Sequence, residues 1–282
     1  MRILVTGSDG FIGAKVCSKL REKGFEVEAH TLAVSDIGTG IPEYKGIDWV
    51  LHLAALTSIR DSWDRPGDFY NINFMGTQRV LEVCRKNNCG MTFMSTYVYG
   101  HPKYLPVDEA HQAMPNSPYS QTKYLAEQLC GFYSSNYSIP CVILRPFNIY
   151  GPGQSGGFLV PSIFAQVMDP STDEVRVENL RPKRDYVYVD DVVGAIVSTI
   201  GRKTAGVYNI GTGVATGVGE LIEAVFKVTG IRKKVISVDK IRPDEVHEIT
   251  ASYRKINGDL GWAPATGLEE GLKKTFLESI SA

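Results

Sequence analysis

The N-terminal stretch RILVTGSDGFIGAKVCSKL constrains the fold of this 282-residue chain more than any other. A short apolar run ends in a glycine turn, Gly7, Gly10 and Gly13 at the spacing G-x-x-G-x-x-G, and the turn opens directly into a helical pattern. Strand, turn and helix N-terminus bring free amides and the helix dipole to one point, and the missing side chains let an anion reach the backbone. A tight turn needs none of this, so the motif predicts a pyrophosphate cradle for a dinucleotide, with Phe11 and Ile12 among its contacts.

Beyond the turn, strand-like runs (EVEAHTL, WVLHLAA, MTFMST, CVILRPF) alternate with helical patterns (AKVCSKLREKG, TQRVLEVCRKN and the stretch from Tyr119). Such alternation implies right-handed crossovers and an α/β fold of Rossmann type, a doubly wound parallel sheet covered on both faces. From about residue 150 the pattern breaks into GPGQSGG and RPKRDY, with a helix near 190–201, a strand at VYNIG and two or three helices around KVISVD. The expected division is a dinucleotide-binding domain over 1–150, rejoined by part of 184–215, and a smaller C-terminal substrate-binding lobe over 151–282.

Hydrophobic residues make up 43% of the chain, charged residues 22%, and the net charge is -1. No basic excess points to nucleic acid, and every apolar run stops short of the roughly 20 residues that span a bilayer. MRILVTG runs straight into a strand-like segment, so no cleavable signal is expected. The five cysteines form no C-x-x-C pair and the five histidines no H-E-x-x-H pair. Neither a disulfide framework nor a metal site is expected, and the thiols read as those of a cytoplasmic protein.

A dinucleotide fold also places an Asp or Glu near the end of its second strand, where it holds the adenosine ribose. In FEVEAHTLAVSDIG that place falls on His30 or Thr31, neither acidic, and no Arg or Lys follows at once to mark a 2′-phosphate pocket. The cofactor is therefore NAD or NADP, with a slight preference for NAD. Asp36, by hydrogen bonding, and Ile37, by packing, are candidates for the adenine edge. The segment before WVLHLAA is short for this fold, which leaves the usual third strand compressed into AVSDI. His52, inside an apolar run, reads as a satisfied core residue.

NSPYSQTKYLAEQL, residues 116–129, sets Tyr119 and Lys123 one helical turn apart on a shared face. A neighbouring ammonium favours the phenolate and suits a phenol to proton transfer, although the same pair would also fit an ordinary helix surface.

TGSDGFIG, HLAA (52–55), STYVYG (95–100), YSQTK (119–123), LRPFNIYGPG (144–153), RDYVYVDDV (184–192), YNIGTG (208–213) and RPDEV (242–246) follow one another in this order. The series resembles the extended short-chain dehydrogenases/reductases, in particular the NAD-dependent epimerase/dehydratase family that acts on nucleotide sugars, and it covers nearly the whole chain. The resemblance implies a catalytic Tyr119 and Lys123, with Ser95, five residues before Gly100, as the hydroxyl that completes the triad. It implies that Leu53, Ala54 and Ala55 line the cofactor, with Tyr119 and Lys123 touching it as well. On the substrate side it implies Asn148, Arg184 and Arg242, the arginines as diphosphate clamps. It also implies that Asn73 supports the site from a helix. Asp190 and Asp191 begin a helix and are expected to cap it.

Dehydratases of the family carry an Asp-Glu pair directly after the triad hydroxyl. This chain has Thr96 and Tyr97 there, both counted on the substrate side. Two redox reactions remain: a 4-epimerase that keeps NAD bound and returns the hydride, and a 4-ketoreductase that consumes NAD(P)H. A dinucleotide sensor without catalysis is the reading from another class, and the intact Ser95, Tyr119 and Lys123 weigh against it. The resemblance further implies a homodimer through a four-helix bundle, made from NFMGTQRVLEVCRKN and the Tyr119 helix, with Leu125, Leu129 and Tyr133 on the far face.

Overall fold

The computed structural model describes residues 1–203, 205–240 and 245–281. Its centre is a parallel sheet of six strands in the order β2–β1–β3–β4–β5–β9. These are β1 (Arg2–Thr6), β2 (Glu26–His30), β3 (Trp49–His52), β4 (Gly90–Met94), β5 (Cys141–Pro146) and β9 (Gly206–Ile210). The order steps outward both ways from β1 and β3, so the carboxyl ends of those strands form the crevice in which such sheets bind ligands.

Helices cover both faces. On one, α1 (Phe11–Glu22) and α7 (Val189–Ser198) pack Val16, Leu20, Val192 and Ile196 against Ile3, Val5, Leu51 and Leu144. α9 (Arg254–Leu260) adds Ile256 to the same cluster, and Trp262 follows it. On the other face, α4 (Gly76–Asn87) and α5 (Pro118–Tyr137) bury Val80, Leu81, Ala126 and Cys130 against Leu4, Val50, Met91 and Phe93. All five cysteines are buried and free. α5 starts sharply because Ser117 and Ser120 form a capping box and Pro118 occupies the first helical turn.

Between β3 and α4 the chain forms α2 (Ile59–Asp64), α3 (Pro66–Phe69) and a π-helical turn, Tyr70–Met75. The second lobe holds a sheet in which β8 (Lys183–Tyr188) is flanked by β10 (Ala215–Gly217) and β12 (Glu248–Ile249) and also pairs with β6 (Asn148–Tyr150). A separate parallel pair joins β7 (Glu174–Val177) to β11 (Lys234–Ser237). α6 (Leu159–Met168), α8 (Val218–Thr229) and α10 (Leu268–Ser281) pack around Tyr150, Tyr188 and Leu221.

Two expectations need correction. No third strand lies between His30 and Trp49: the AVSDI stretch forms turns, in a segment interrupted by Gly38, Gly40, Pro42 and Gly46. β2 is therefore the sheet edge, and Arg2 reaches across to pair with both Glu26 and Glu28, a charged border that blunts strand pairing. Asp190 and Asp191 do not cap α7, whose N-cap is Tyr188. Asp191 instead faces the chain after Trp262 and accepts hydrogen bonds from the Thr266 amide and hydroxyl.

Candidate active site

The glycine turn is shaped by what it excludes. Gly7 has φ +69°, and a Cβ there would lie 2.8 Å from the Ala54 amide nitrogen. A Cβ on Gly13 would lie 2.0 Å from the Gly7 carbonyl oxygen, so helix and turn approach more closely than any side chain permits. α1 begins after Gly10 with no side-chain cap, which leaves its first amides free for an anion. These residues fit a dinucleotide pyrophosphate.

From this cradle a cavity of about 420 Å³ runs to the second lobe. It is lined by Gly7, Gly10, Phe11, Ile12, Gly13, Leu53 and Ala55, then by Ser95, Thr96, Tyr97, Tyr119 and Lys123, and finally by Asn148. Ala54 supports the cradle from behind, its amide donating to Thr6 Oγ1 at 3.3 Å. Thr31, Asp36 and Ile37 lie apart from this cavity. Asp36 Oδ1 accepts from the Gly38 amide at 2.8 Å, and Ile37 is buried against α4 at Gly76, with its carbonyl held by Arg79 Nη1.

Tyr119 and Lys123 share the inner face of α5. Burial pushes the Tyr119 phenol up to about 12, and the Thr96 side chain acts against that rise by hydrogen bonding. Burial pulls Lys123 down to about 7, and its ammonium lies 4.3 Å from the centre of the Phe93 ring. The phenol is thus set up to be neutral at rest and the amine to titrate near neutrality.

Ser95 is placed differently from Thr96. Its hydroxyl donates to Glu127 Oε1 at 2.5 Å, and Glu127 is held in turn by Arg145 Nη2 at 2.6 Å and Nε at 3.0 Å. Arg145 Nη1 donates to Tyr99 Oη, which donates to Asn209 Oδ1. Motif reading passed over the Glu127–Arg145 pair. Its signal was an acid one turn beyond Lys123 and an arginine inside the apolar run CVILRP, two charges that sheet burial forces to find each other.

Behind the site, Thr77 donates to the Asn73 carbonyl at 2.6 Å, so it accepts from His52 Nε2, and His52 Nδ1 accepts from Thr6. His52 is thereby fixed as a neutral imidazole, and burial lowers it to about 3. Asn73, in the π-helical turn, bonds both the amide and the carbonyl of Leu56 and donates to Thr122 on α5. It ties the loop after β3 to the helix of Tyr119 and Lys123.

Of the residues expected on the substrate side, Asn148 lines the cavity with a buried Oδ1 that lacks a partner. Arg184 Nη1 donates to the carbonyl of Lys183 at 2.9 Å, away from the cavity-lining residues. Arg242 lies outside the described residues. Among the described residues, no group of His, Cys, Asp and Glu is arranged to hold a metal ion, and no helix is long and apolar enough to cross a membrane.

A sequence model of the GDP-mannose 4,6 dehydratase family matches residues 41–275. A Methanocaldococcus jannaschii protein provisionally named UDP-glucose 4-epimerase is 34% identical, with 96% of each chain covered. The chain belongs to the NAD-dependent epimerase/dehydratase family. Other members match it end to end. The UDP-glucose 4-epimerase of Thermotoga maritima, solved with UDP-glucose, superposes with a TM-score of 0.90 at 30% identity, covering 99% of this chain and 100% of its own. That of Thermus thermophilus, solved with NAD, gives 0.88 at 28% identity, with 100% of both chains covered. A GDP-6-deoxy-D-mannose reductase of Pseudomonas aeruginosa is 26% identical, over 96% of this chain and 95% of its own. Family membership makes the chain an enzyme of the epimerase, dehydratase and reductase group that acts on nucleotide sugars.

Proposed function

We propose that the chain is a nucleotide-sugar 4-epimerase that keeps its dinucleotide bound, NAD in preference to NADP. The observation that carries this reading is the single cavity joining the glycine cradle to Tyr119, Lys123 and Asn148. When bound, the dinucleotide supplies the hydride acceptor and donor. Tyr119 takes the proton of the sugar C4 hydroxyl as the carbon loses hydride, and gives it back when the hydride returns to the other face. Lys123, one turn further on, holds the nicotinamide ribose and favours the phenolate. Asn148 offers its side-chain NH2 to the sugar diphosphate and leaves its unpartnered oxygen to accept from a sugar hydroxyl, with Arg184 and Arg242 as candidate clamps on the phosphates. Thr31 and Asp36 take the adenosine end, Thr31 standing where an acidic residue would hold the ribose.

One observation favours a second reading, a 4-ketoreductase that consumes NAD(P)H. The sheet ends at β2, and no carboxylate stands at Thr31, so the adenosine end is less enclosed than in a fold with a further strand. A GDP-6-deoxy-D-mannose reductase is among the relatives. A dehydratase is disfavoured because Thr96 and Tyr97 stand where dehydratases of the family carry their Asp-Glu pair.

Denaturing the purified protein and identifying what is released separates the two readings. Stoichiometric NAD supports the epimerase. A protein that releases no dinucleotide but oxidises added NADPH with a nucleotide-4-keto sugar overturns it in favour of the reductase.

We also propose a homodimer through α4 and α5, with a revised contact face. Tyr133 is buried within the monomer, where it donates to Glu82 and accepts from Gln78, and Leu129 packs on the same core. The outward aromatic residues of α5 are Phe132, 54% exposed, and Tyr137, 47% exposed.

A further inference from the structure

The buried ion pair beneath the active-site turn decides which of two adjacent hydroxyls can serve the reacting oxygen. Ser95 has one O–H, and Glu127, an acceptor paired with Arg145 at 2.6 Å, takes it. Ser95, Glu127 and Arg145 are all at least nine-tenths buried, so no solvent competes for these bonds. A hydroxyl whose proton is committed to a carboxylate cannot also donate to a sugar oxygen that gains negative charge as hydride is returned to it.

The same pair anchors the other end of the turn. Arg145 Nη1 donates to Tyr99 Oη at 3.0 Å, and Tyr99 is fully buried. With residues 95 and 99 both fastened to Glu127–Arg145, the side chains left to face the cavity between them are Thr96 and Tyr97. Tyr97 lies against the Phe147 ring, centroids 5.2 Å apart, and Thr96 lines the same cavity as Tyr119.

We propose that Thr96 is the catalytic hydroxyl that holds the reacting sugar oxygen together with Tyr119, and that Ser95 is a positioning residue locked to the Glu127–Arg145 pair. Counting back from Gly100 assigns the role to Ser95; the hydrogen bonds assign it one residue later. The inference rests on the hydride-transfer reading above. It also strengthens the case against a dehydratase, because the two residues after Thr96 are Tyr97 and Val98. Neither register supplies an acid pair.

The test compares Thr96→Val, Thr96→Ser, Ser95→Ala and Ser95→Thr with the wild type, using the full chain loaded with NAD and UDP-glucose as probe, and UDP-4-keto-6-deoxyglucose with NADPH for the reductive direction. Thr96→Val is expected to lower kcat by about 100- to 1,000-fold, the loss typical of one missing donor at a developing oxyanion, with KM changed less than about threefold. Thr96→Ser recovers most of that loss. Ser95→Ala lowers kcat by about tenfold and also lowers the melting temperature, because Glu127 loses a donor, and Ser95→Thr restores both. A Thr96→Val enzyme with wild-type kcat, beside a Ser95→Ala enzyme that loses 100-fold or more at unchanged melting temperature, overturns the assignment and leaves the proposed function standing. A wild-type protein that transfers hydride with neither probe, nor with the corresponding GDP and dTDP sugars, overturns the function and the assignment with it.

Discussion

The ammonium of Lys123 lies 4.3 Å from the centre of the Phe93 ring, inside the packed face between α5 and the sheet. This contact and the neighbouring Glu127 favour the charged form, yet burial outweighs them and brings Lys123 from 10.5 down to about 7. Between those two values the unfolded chain carries a proton that the folded chain lacks, so this group makes stability rise with pH across that interval. The cost of burying the ammonium is full below about pH 7 and gone above 10.5. Lys123→Met removes it while keeping the side-chain length, and is expected to stabilise the fold by about 1–3 kcal/mol at pH 6, with the gain vanishing by about pH 10. Denaturant unfolding of both proteins at pH 6, 8 and 10 measures it. A gain that grows with pH has the wrong sign for a depressed lysine.

Tyr119→Phe removes the proton carrier but keeps the ring, whose edge meets Phe69 at 6.4 Å between centroids. Hydride transfer is expected to fall by about 100- to 10,000-fold, the range for a lost general acid–base, while the released-dinucleotide content stays that of the wild type. Reduction of bound NAD by a nucleotide sugar, followed at 340 nm, reads the first; release on denaturation reads the second. Activity within a few fold of wild type would remove Tyr119 from the chemistry.

Gly13→Ala puts a methyl 2.0 Å from the Gly7 carbonyl oxygen, a backbone atom that no rotamer change can move. Helix α1 must then back away from the turn, at a cost of about 1–3 kcal/mol or more, and the cradle loses its fit. Dinucleotide affinity is expected to fall by at least about tenfold. Gly10→Ala is the contrast, since its Cβ would sit 3.2 Å from the same oxygen. Calorimetric titration of NAD into both variants compares them, and equal affinities would deny the close approach its role.

The parts of this molecule that could be read from its residues are those whose physics is local. The glycine cradle is legible because Gly7 and Gly13 occupy positions a Cβ cannot, and α5 is legible because Ser117, Pro118 and Ser120 sit together in sequence. The orientation of Ser95 is not local: it is set by Glu127, 32 residues away, and by an arginine on another strand. Tyr133 reads as an exposed helix aromatic until Glu82 and Gln78, on α4, enclose its hydroxyl. The missing edge strand has a local cause: the segment turns, and Asp36 takes the Gly38 amide instead of letting the chain run on beside β2.

The proposed dimer has a direct test in Phe132, whose ring leans on Tyr133 and Tyr137 at the outer side of α5. Phe132→Lys places a charge where two copies would meet, without touching the monomer core. Sedimentation equilibrium should find a dimer for the wild type and at least about tenfold weaker self-association for the variant, with the thermal midpoint of the monomer unchanged. A wild-type monomer at micromolar concentration, or a variant that dimerises equally well, rules out this face.

Asp185 holds the second lobe's entry to the sheet. Its Oδ1 accepts from the Thr212 amide and hydroxyl, each at 2.7 Å, and its Oδ2 accepts from the Gly213 amide at 2.8 Å and the Ala251 amide at 3.0 Å. The residue is fully buried, and burial raises its carboxyl against the opposing pull of these four donors. All four partners are donors, so only a group that accepts on both sides can serve them. Asp185→Asn turns one acceptor into an NH2 facing an amide, which leaves buried donors unsatisfied and is expected to cost about 2–4 kcal/mol. The loop after β9 and the chain at Ala251 loosen together, because one side chain joins them. Urea unfolding gives the cost, and amide hydrogen exchange at Thr212, Gly213 and Ala251 should accelerate in the variant. Unchanged protection at all three amides would mean that the carboxylate is dispensable there.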